Sequence, residues 1–347
     1  MKILYLAPTN SFSGGENVTL QIAAQMQERG HKVAYCSPHG SIEEFVHEQG
    51  VPFIGLNRFS LLEVKRAIYS FEPDIVHAMD YRASFYAALL FNNTVGHLHS
   101  NCPWLKTVCL NSFALYITAR RAKALICVSS SIPDEFRFVK SVKKKFITLM
   151  NVVDVQAIKK KSLEFTCKQN YDLGYCGRFS EPKNPVGFLQ VVAQVKKKLP
   201  DIKAVMIGDG ELREQVEGML TSLHLENNVE LVGFQKNPFP YIAACKVMVM
   251  PSQWEGFPMV AIESMALGKP LIATPVSGVR DIVTDACGGT GQTIEELSVQ
   301  VLQCILCSVQ KYSTLCESAQ SAVASYTDMS TYMDGIMRCY HKWINVH

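Results

Sequence analysis

A pair of Rossmann-like α/β domains, each with a parallel sheet and the two facing each other across a cleft, is the architecture this 347-residue sequence predicts. Short apolar runs alternate with helix-period stretches along most of the chain. The runs are continuous rather than alternating, as in strands covered on both faces. The strand–helix series also restarts near residue 172, after a joining stretch at 151–171. At roughly 150 residues per domain, the length alone gives about two domains.

The elements follow in order. "KILYLAP" opens the chain as a strand, and "GENVTLQIAAQMQERG" is a helix with Val18, Ile22 and Met26 on one face and Gly30 at its end. "HKVAYCS", "VPFIGL" and "DIVHAM" read as strands, separated by the helices "SIEEFVHEQG" and "SLLEVKRAIYSFEP". "TVGHLHS", "KALICVSS" and "KFITLMN" continue the strand series. In the second half the strands are "LGYCGRF", "IKAVMIGDG", "VELVGF", "KVMVMPS" and "PLIATPV". Between them lie the helices "NPVGFLQVVAQVKKKLP", "ELREQVEGMLTSLHL", "NPFPYIAAC" and the one that begins after "WEGFP". The halves share no residue pattern, so the restart marks a second domain and not a repeat.

Composition narrows the class. The chain is 48% hydrophobic and 19% charged, which suits a globular protein with real cores. A net charge of +3 does not by itself imply nucleic acid, and none is expected as a partner. Basic runs at 140–146, 158–162 and 195–200 read first as solvated helix ends and loops. The twelve cysteines are scattered among apolar runs, where they act as small buried hydrophobes. One CxxC, Cys304 and Cys307, has no second pair beside it, so a zinc site is not expected. A reduced, cytoplasmic protein fits that usage. The opening apolar run is too short for a signal peptide, and no run is long enough to span a membrane.

In an open parallel sheet, ligands bind beyond the carboxyl ends of the strands. The loops there carry the polar residues. Gly14 and Gly15 follow the first strand and open a helix, where backbone N–H groups can approach an anion; a plain tight turn explains them equally well. Arg178 and Lys183 flank a strand-to-helix loop and suit a diphosphate, although both could be surface cations. Gly208 and Asp209 lie in "IGDGE", whose glycines permit a tight turn. Glu255 and Glu263 stand on either side of a helix start amid Met259, Val260, Ile262, Met265, Ala266 and Leu267. Pro258 suits the first helical turn. Glu255 could be a cap and Glu263 a solvated residue; but the helix is nearly all apolar, and a buried carboxylate needs partners such as sugar hydroxyls.

These motifs resemble a family-4 glycosyltransferase of the GT-B fold. The resemblance rests on "GRFSEPKNP", "MIGDGELR" and the run from "VGFQKNPFPYIAACKVMVMPSQWEGFPMVAIESMALGKPLIATPVSG", in the family's order, with the spaced glutamates as its signature. The first half matches more loosely, through its glycine loop, "PDIVHAMDYRA", "TVGHLHS" and "NVVD". The resemblance implies domains over 1–165 and 166–327, with a helix at 328–347 packing back on the first. It implies a retaining transfer from a nucleotide-sugar donor, with UDP favoured. Glu263 would hold the donor ribose and Glu255 the donor sugar. Arg178 and Lys183 would clamp the diphosphate, and the backbone of Gly256, Phe257 and Pro258 would close around it. His99 matches the family's active-site histidine better than His97, which could be a core or edge residue. Val152 stands where the family often has glycine, which puts that turn's geometry in doubt.

No DxD-like acidic cluster stands at a strand end, so no metal and no other cofactor are expected. Residues 101–124 mix Trp104, Leu105, Phe113, Tyr116 and Ile117 with Lys106, Arg120, Arg121 and Lys123. That pattern suits either a core-packing helix with a basic end or an interfacial helix on anionic lipid. Together with the lysines of 140–146 it points to a peripheral enzyme on the cytoplasmic face, acting on a glycan acceptor that is lipid-linked, as in cell-surface polysaccharide or glycolipid synthesis. A sugar-nucleotide epimerase of the same fold, or a non-catalytic sugar-nucleotide-binding partner of another transferase, are the alternatives.

Overall fold

The computed structural model describes residues 1–255, 257–276, 278–280 and 282–341. The chain forms two compact units. The first is Met1–Asn151 with the C-terminal segment from Ser330, and the second is Val152–Met329. The division falls at 151/152 rather than at the expected 165/166. The helix Val155–Lys161, ahead of the expected boundary, packs within the second unit. The expected C-terminal helix is observed as Met329–His341, and residues 342–347 lie outside the described part.

In the first unit seven strands make one parallel sheet: β1 (Lys2–Leu6), β2 (Lys32–Pro38), β3 (Phe53–Leu56), β4 (Ile75–Met79), β5 (Thr94–Leu98), β6 (Ala124–Cys127) and β7 (Phe146–Thr148). Their order is β3-β2-β1-β4-β5-β6-β7. The helices are α1 (Gly14–Glu28), α2 (Ile42–Glu48), α3 (Leu61–Phe71), α4 (Asp80–Leu90), α5 (Leu110–Arg121), α6 (Ser131–Glu135) and α7 (Val139–Val142). Ser60 caps α3 by accepting from the Glu63 N–H. Helix α4 has no counterpart in the sequence reading, because "DYRASFYAALL" places Tyr81, Phe85 and Tyr86 around the cylinder and leaves no single apolar stripe.

The two faces of this sheet differ. Leu4, Leu6, Ala34, Cys36, Val76 and Ala78 point one way and pack with Val64, Ala67, Ala83 and Ala87 of α3 and α4. The alternate residues point the other way. On that face Tyr5 lies level with Tyr35 on β2 and with His77 on β4, and Met79 lies level with His97 on β5. It is a buried face, yet it carries tyrosines and histidines.

The second unit opens with α8 (Val155–Lys161) and has a six-stranded parallel sheet: β8 (Tyr171–Cys176), β9 (Ala204–Ile207), β10 (Val229–Gly233), β11 (Cys245–Met250), β12 (Leu271–Ala273) and β13 (Gly288–Thr290). The order is β10-β9-β8-β11-β12-β13. Around it lie α9 (Pro185–Lys196), α10 (Arg213–Ser222), α11 (Phe239–Ala244), α12 (Met259–Ala266), α13 (Ile294–Ile305) and α14 (Val309–Ala322); α15 (Met329–His341) then joins the first unit. Leu173, Phe188, Val192, Val247, Val249, Ile272 and Val301 form its core. Asn184 starts α9 in a left-handed conformation, with φ of 47°, and its side chain accepts from the Gly187 N–H at 3.0 Å. Among the described residues no helix is long and apolar enough to cross a membrane.

The loops after β8 and β9 interlock through backbone. Gly177 N donates to Ile207 O at 3.0 Å, and Phe179 N to Asp209 O at 2.9 Å. Gly208 makes this possible: its φ is +145°, and a Cβ there would sit 1.9 Å from the Gly177 carbonyl oxygen. Gly208→Ala is therefore expected to cost about 2–4 kcal/mol in urea unfolding of the second unit. An unchanged midpoint would mean the two loops are not packed this way.

Candidate active site

Three loops at the carboxyl ends of β8, β9 and β11 gather the charged residues of the second unit. The loop after β8 is tied to the one after β11 at three points. Asn184 Nδ2 donates to Pro251 O at 3.1 Å, Gln253 N donates to Pro182 O at 2.8 Å, and Lys183 Nζ meets a Glu255 carboxylate oxygen at 2.5 Å. The second Glu255 oxygen accepts from Ser252 Oγ at 2.7 Å. Ser252 is itself held, since its carbonyl accepts from Thr274 Oγ1. The Glu255 side chain is 3% exposed and that of Lys183 36%. A carboxylate is thus buried between an ammonium and a hydroxyl, and the ammonium keeps one side open. Such a buried pair stabilises little by itself, but losing one member strands the other charge.

Glu255 lies in the loop, and Pro258 is the N-cap residue of α12 rather than part of its first turn. The helix is buried on almost every side: Met259, Ala261, Ile262, Glu263, Ser264, Met265 and Ala266 are all covered, and Val260 and Leu267 are half-covered. Glu263 is 8% exposed. Burial pushes its carboxyl up to about 7, with the Lys161 ammonium pulling it the other way. Cys176, at the end of β8, feels both groups: burial raises its thiol to about 12, Glu263 adds to the rise and Lys183 opposes it. Arg178 is placed differently. Its Nε donates to Glu211 at 3.1 Å, and its side chain is 66% exposed. Asp209 accepts from its own neighbour Gly210 N at 2.8 Å and faces Arg213 at 3.6 Å. Phe257 is half-buried against Tyr326, with ring centroids 5.8 Å apart. Gly256 lies outside the described residues.

The first unit gathers its polar groups at the same end of its own sheet. Gly14 and Gly15 begin α1, and a Cβ on Gly15 would touch the His99 ring at 3.5 Å. The residue after them, Glu16, is buried and accepts from Thr9 and Ser13 hydroxyls. His99 follows β5; its backbone N–H donates to Asp80 at 3.1 Å. Burial holds the His99 imidazole down to about 4, against the upward pull of Glu16. Burial likewise raises Asp80, which the His99 N–H and Ser100 hydroxyl oppose. In α5, Ser112, Leu115, Thr118 and Ala119 face inward, while Leu110 is 88% exposed and Phe113 54%. The helix packs on its unit and still leaves an apolar end outside.

Two sequence families match. The family "Glycosyltransferase Family 4" covers residues 12–157, which include Gly14, Gly15 and His99. The family "Glycosyl transferases group 1" covers 156–303, which include Arg178, Lys183, Glu255 and Glu263. Both matches are glycosyltransferase families, and together they cover residues 12–303. An uncharacterised glycosyltransferase of Methanocaldococcus jannaschii is 27% identical over 249 residues, 64% of this chain and 60% of that one. The N-acetylgalactosamine-N,N'-diacetylbacillosaminyl-diphospho-undecaprenol 4-alpha-N-acetylgalactosaminyltransferase of Campylobacter jejuni is 33% identical over 143 residues, 41% of this chain and 38% of that one. The matches therefore span only 60% and 38% of those two relatives. Among solved structures, Anabaena HepE in complex with UDP-glucose superposes with a TM-score of 0.84 at 22% identity, covering 97% of this chain and 98% of that one.

The sequence alone does not single out Glu16, Asp80, Ser252 or Lys161. Glu16 was visible as the acidic residue next to two glycines. Ser252 and Lys161 were not, because only tertiary packing brings them to Glu255 and Glu263. Among the described residues no cluster of three or more His, Cys, Asp or Glu is placed to hold a metal ion.

Glu263 makes stability depend on pH. Its folded value of about 7 lies above the ordinary 4.5. Below about 4.5 both folded and unfolded chains hold the proton, and nothing is lost. As pH rises from 4.5 through 7 the unfolded chain releases it first, so stability falls. Glu263→Gln is expected to stabilise by about 2–3 kcal/mol at pH 8 and by little at pH 4, measured by urea unfolding. Equal effects at both would mean the native carboxyl titrates normally.

Proposed function

We propose that this chain transfers a sugar from a UDP-sugar to a hydroxyl of a lipid-linked glycan, with retention at the anomeric carbon and without a metal ion. The observation that carries the reading is the Lys183–Glu255–Ser252 contact beside Glu263 at the carboxyl ends of the second unit's strands. One half-exposed cation and two buried carboxylates stand beyond the strands' carboxyl ends, where parallel sheets bind ligands, and this supports the reading.

In this reading Lys183 swings from Glu255 to the diphosphate, and Arg178 leaves Glu211 to join it. Arg178 is mostly exposed, so the move costs little. Glu263 accepts the ribose hydroxyls, which are the partners its carboxylate lacks. Glu255 meets the donor sugar near its reacting face. The backbone at Gly256, Phe257 and Pro258 encloses sugar and phosphate, and the Gly208–Asp209 turn supports the Arg178 loop from below. As the bond to the leaving oxygen breaks, the sugar ring becomes oxocarbenium-like and negative charge moves onto the diphosphate. Once the donor has drawn both cations to the diphosphate, they lower the barrier because they need not move again as the bond breaks. The acceptor lies on the first unit, at His99. His99 stays neutral above its depressed value, so its imidazole can accept the proton of an incoming hydroxyl.

The Campylobacter relative is named for an undecaprenol-linked substrate, and HepE was solved with UDP-glucose. Both support the choice of donor and acceptor class. The exposed Leu110 and Phe113, with Lys106 nearby, support docking on the cytoplasmic face of an anionic membrane.

Three outcomes test this. UDP raises the melting temperature more than GDP in a thermal-shift panel, and free UDP accumulates from the matching sugar nucleotide only when acceptor is present. Glu255→Gln and Lys183→Ala each lower kcat by roughly a hundredfold or more in that assay. EDTA leaves the rate unchanged. Nucleotide that fails to bind, or release of UDP that ignores acceptor, would sink the proposal. The membrane part is checked separately by flotation: Leu110→Ser with Phe113→Ser should abolish binding to vesicles rich in phosphatidylglycerol, and binding that ignores lipid charge would contradict it.

A further inference from the structure

Three histidines lie in a file on the tyrosine-bearing face of the first unit's sheet. His77 is on β4, His97 on β5, and His99 two residues further along the same side. The His77 and His97 side chains are fully buried, and His99 is half-buried with both ring nitrogens covered. Tyr340, on α15, closes one end: its hydroxyl lies 2.6 Å from His77 Nδ1. His77 Nε2 lies 3.0 Å from His97 Nδ1. The His97 and His99 rings then stack, with centroids 4.1 Å apart and planes at 30°. Among the described residues, His97 Nε2 and both nitrogens of His99 are buried without a hydrogen-bond partner.

The distances give the chain a direction. Tyr340 OH has a second neighbour, Tyr5 OH, but at 3.4 Å that contact is long. The 2.6 Å contact is the strong one. Burial holds the Tyr340 phenol protonated, and an imidazole nitrogen is a better acceptor than a phenol oxygen. Tyr340 therefore donates to His77 Nδ1. A neutral imidazole carries one proton, so His77 holds it on Nε2 and donates to His97 Nδ1. His97 is then protonated on Nε2, the atom with no protein partner. Burial keeps His77 and His97 neutral, His77 being pushed down to about 3. Aliphatic side chains would cover this face without the cost of burying three imidazoles.

We propose that Tyr340, His77 and His97 form a one-way hydrogen-bond chain that presents the His97 Nε2–H, beside His99, as a donor to an oxygen of the acceptor substrate. The nature of that oxygen rests on the transferase reading above; the direction of the chain does not. Tyr340 and His77 are positioning residues, and His97 is a binding residue. Next to it, His99 is left free to accept, so the two rings offer one donor and one acceptor to neighbouring oxygens of a sugar.

The test uses the full chain with nitrogen-15 in its histidine rings, near neutral pH and without substrate. Long-range proton–nitrogen correlation reads each tautomer, with signals assigned by their loss in His77→Gln and His97→Gln. His77 and His97 are both expected as the Nε2–H form. Tyr340→Phe is expected to turn His97 into a mixture of tautomers and to lower kcat/KM for the acceptor roughly tenfold, with the dissociation constant for UDP unchanged. His97 found as the Nδ1–H form in the unmodified protein would reverse the chain and overturn the proposal. A folded Tyr340→Phe protein with unaltered tautomers would overturn it too. If His97→Gln leaves the acceptor KM unchanged, the binding role falls. Absence of turnover with every donor and acceptor would instead remove the transferase reading, and the tautomers would still decide the chain.

Discussion

A buried carboxylate that must keep its counter-ion organises the second unit. Glu255 is enclosed by Lys183 and Ser252, and each of those is fixed by something else. Lys183 sits in the loop that Asn184 pins to Pro251, while Ser252 is held through Thr274. The loops after β8 and β11 cannot drift apart without stranding a charge, which costs several kcal/mol. The glycine contact between Gly208 and Gly177 fixes the third loop to the first.

The opposite strategy appears at Glu263. Among the described residues it has no counter-ion in contact, and burial raises its carboxyl to about 7 against the pull of Lys161. Stability is given up there for a group that hydroxyl donors can satisfy. Catalytic regions commonly show such opposed environments for nearby acids. In the first unit the polar face of the sheet follows the same logic. Tyr340 on α15 reaches His77 in the sheet's middle, so the chain's last described helix bears directly on the row of histidines that ends at His99.

Much of this was legible in the residues. Continuous apolar runs such as "KVMVM" and "AVMI" marked buried parallel strands, and the glutamates around "FPMVAI" marked carboxylates facing apolar surface. The pairing partners were not legible. Nothing in the sequence joins Lys183 to Glu255, seventy-two positions away, in preference to a phosphate. Arg178 was read as aimed at a ligand, and the structure gives it Glu211 because "GDGE" turns back toward the β8 loop. Helix α4 was passed over for want of a stripe. The expected unit boundary falls too late because α8 is short and lysine-rich, while its single buried residue, Ile158, packs in the second unit. The tyrosine–histidine file was hidden for a related reason: residues two apart on three strands become neighbours only once register is known.

In the proposed reading the second unit grips a nucleoside diphosphate with Lys183 and its ribose with Glu263. A crystal structure of the protein with UDP tests it most directly. The account predicts the Lys183 ammonium within hydrogen-bond distance of a phosphate oxygen, parted from Glu255, and both ribose hydroxyls on the Glu263 carboxylate. UDP bound elsewhere, or bound here with Lys183 still on Glu255 and Glu263 untouched, would contradict it.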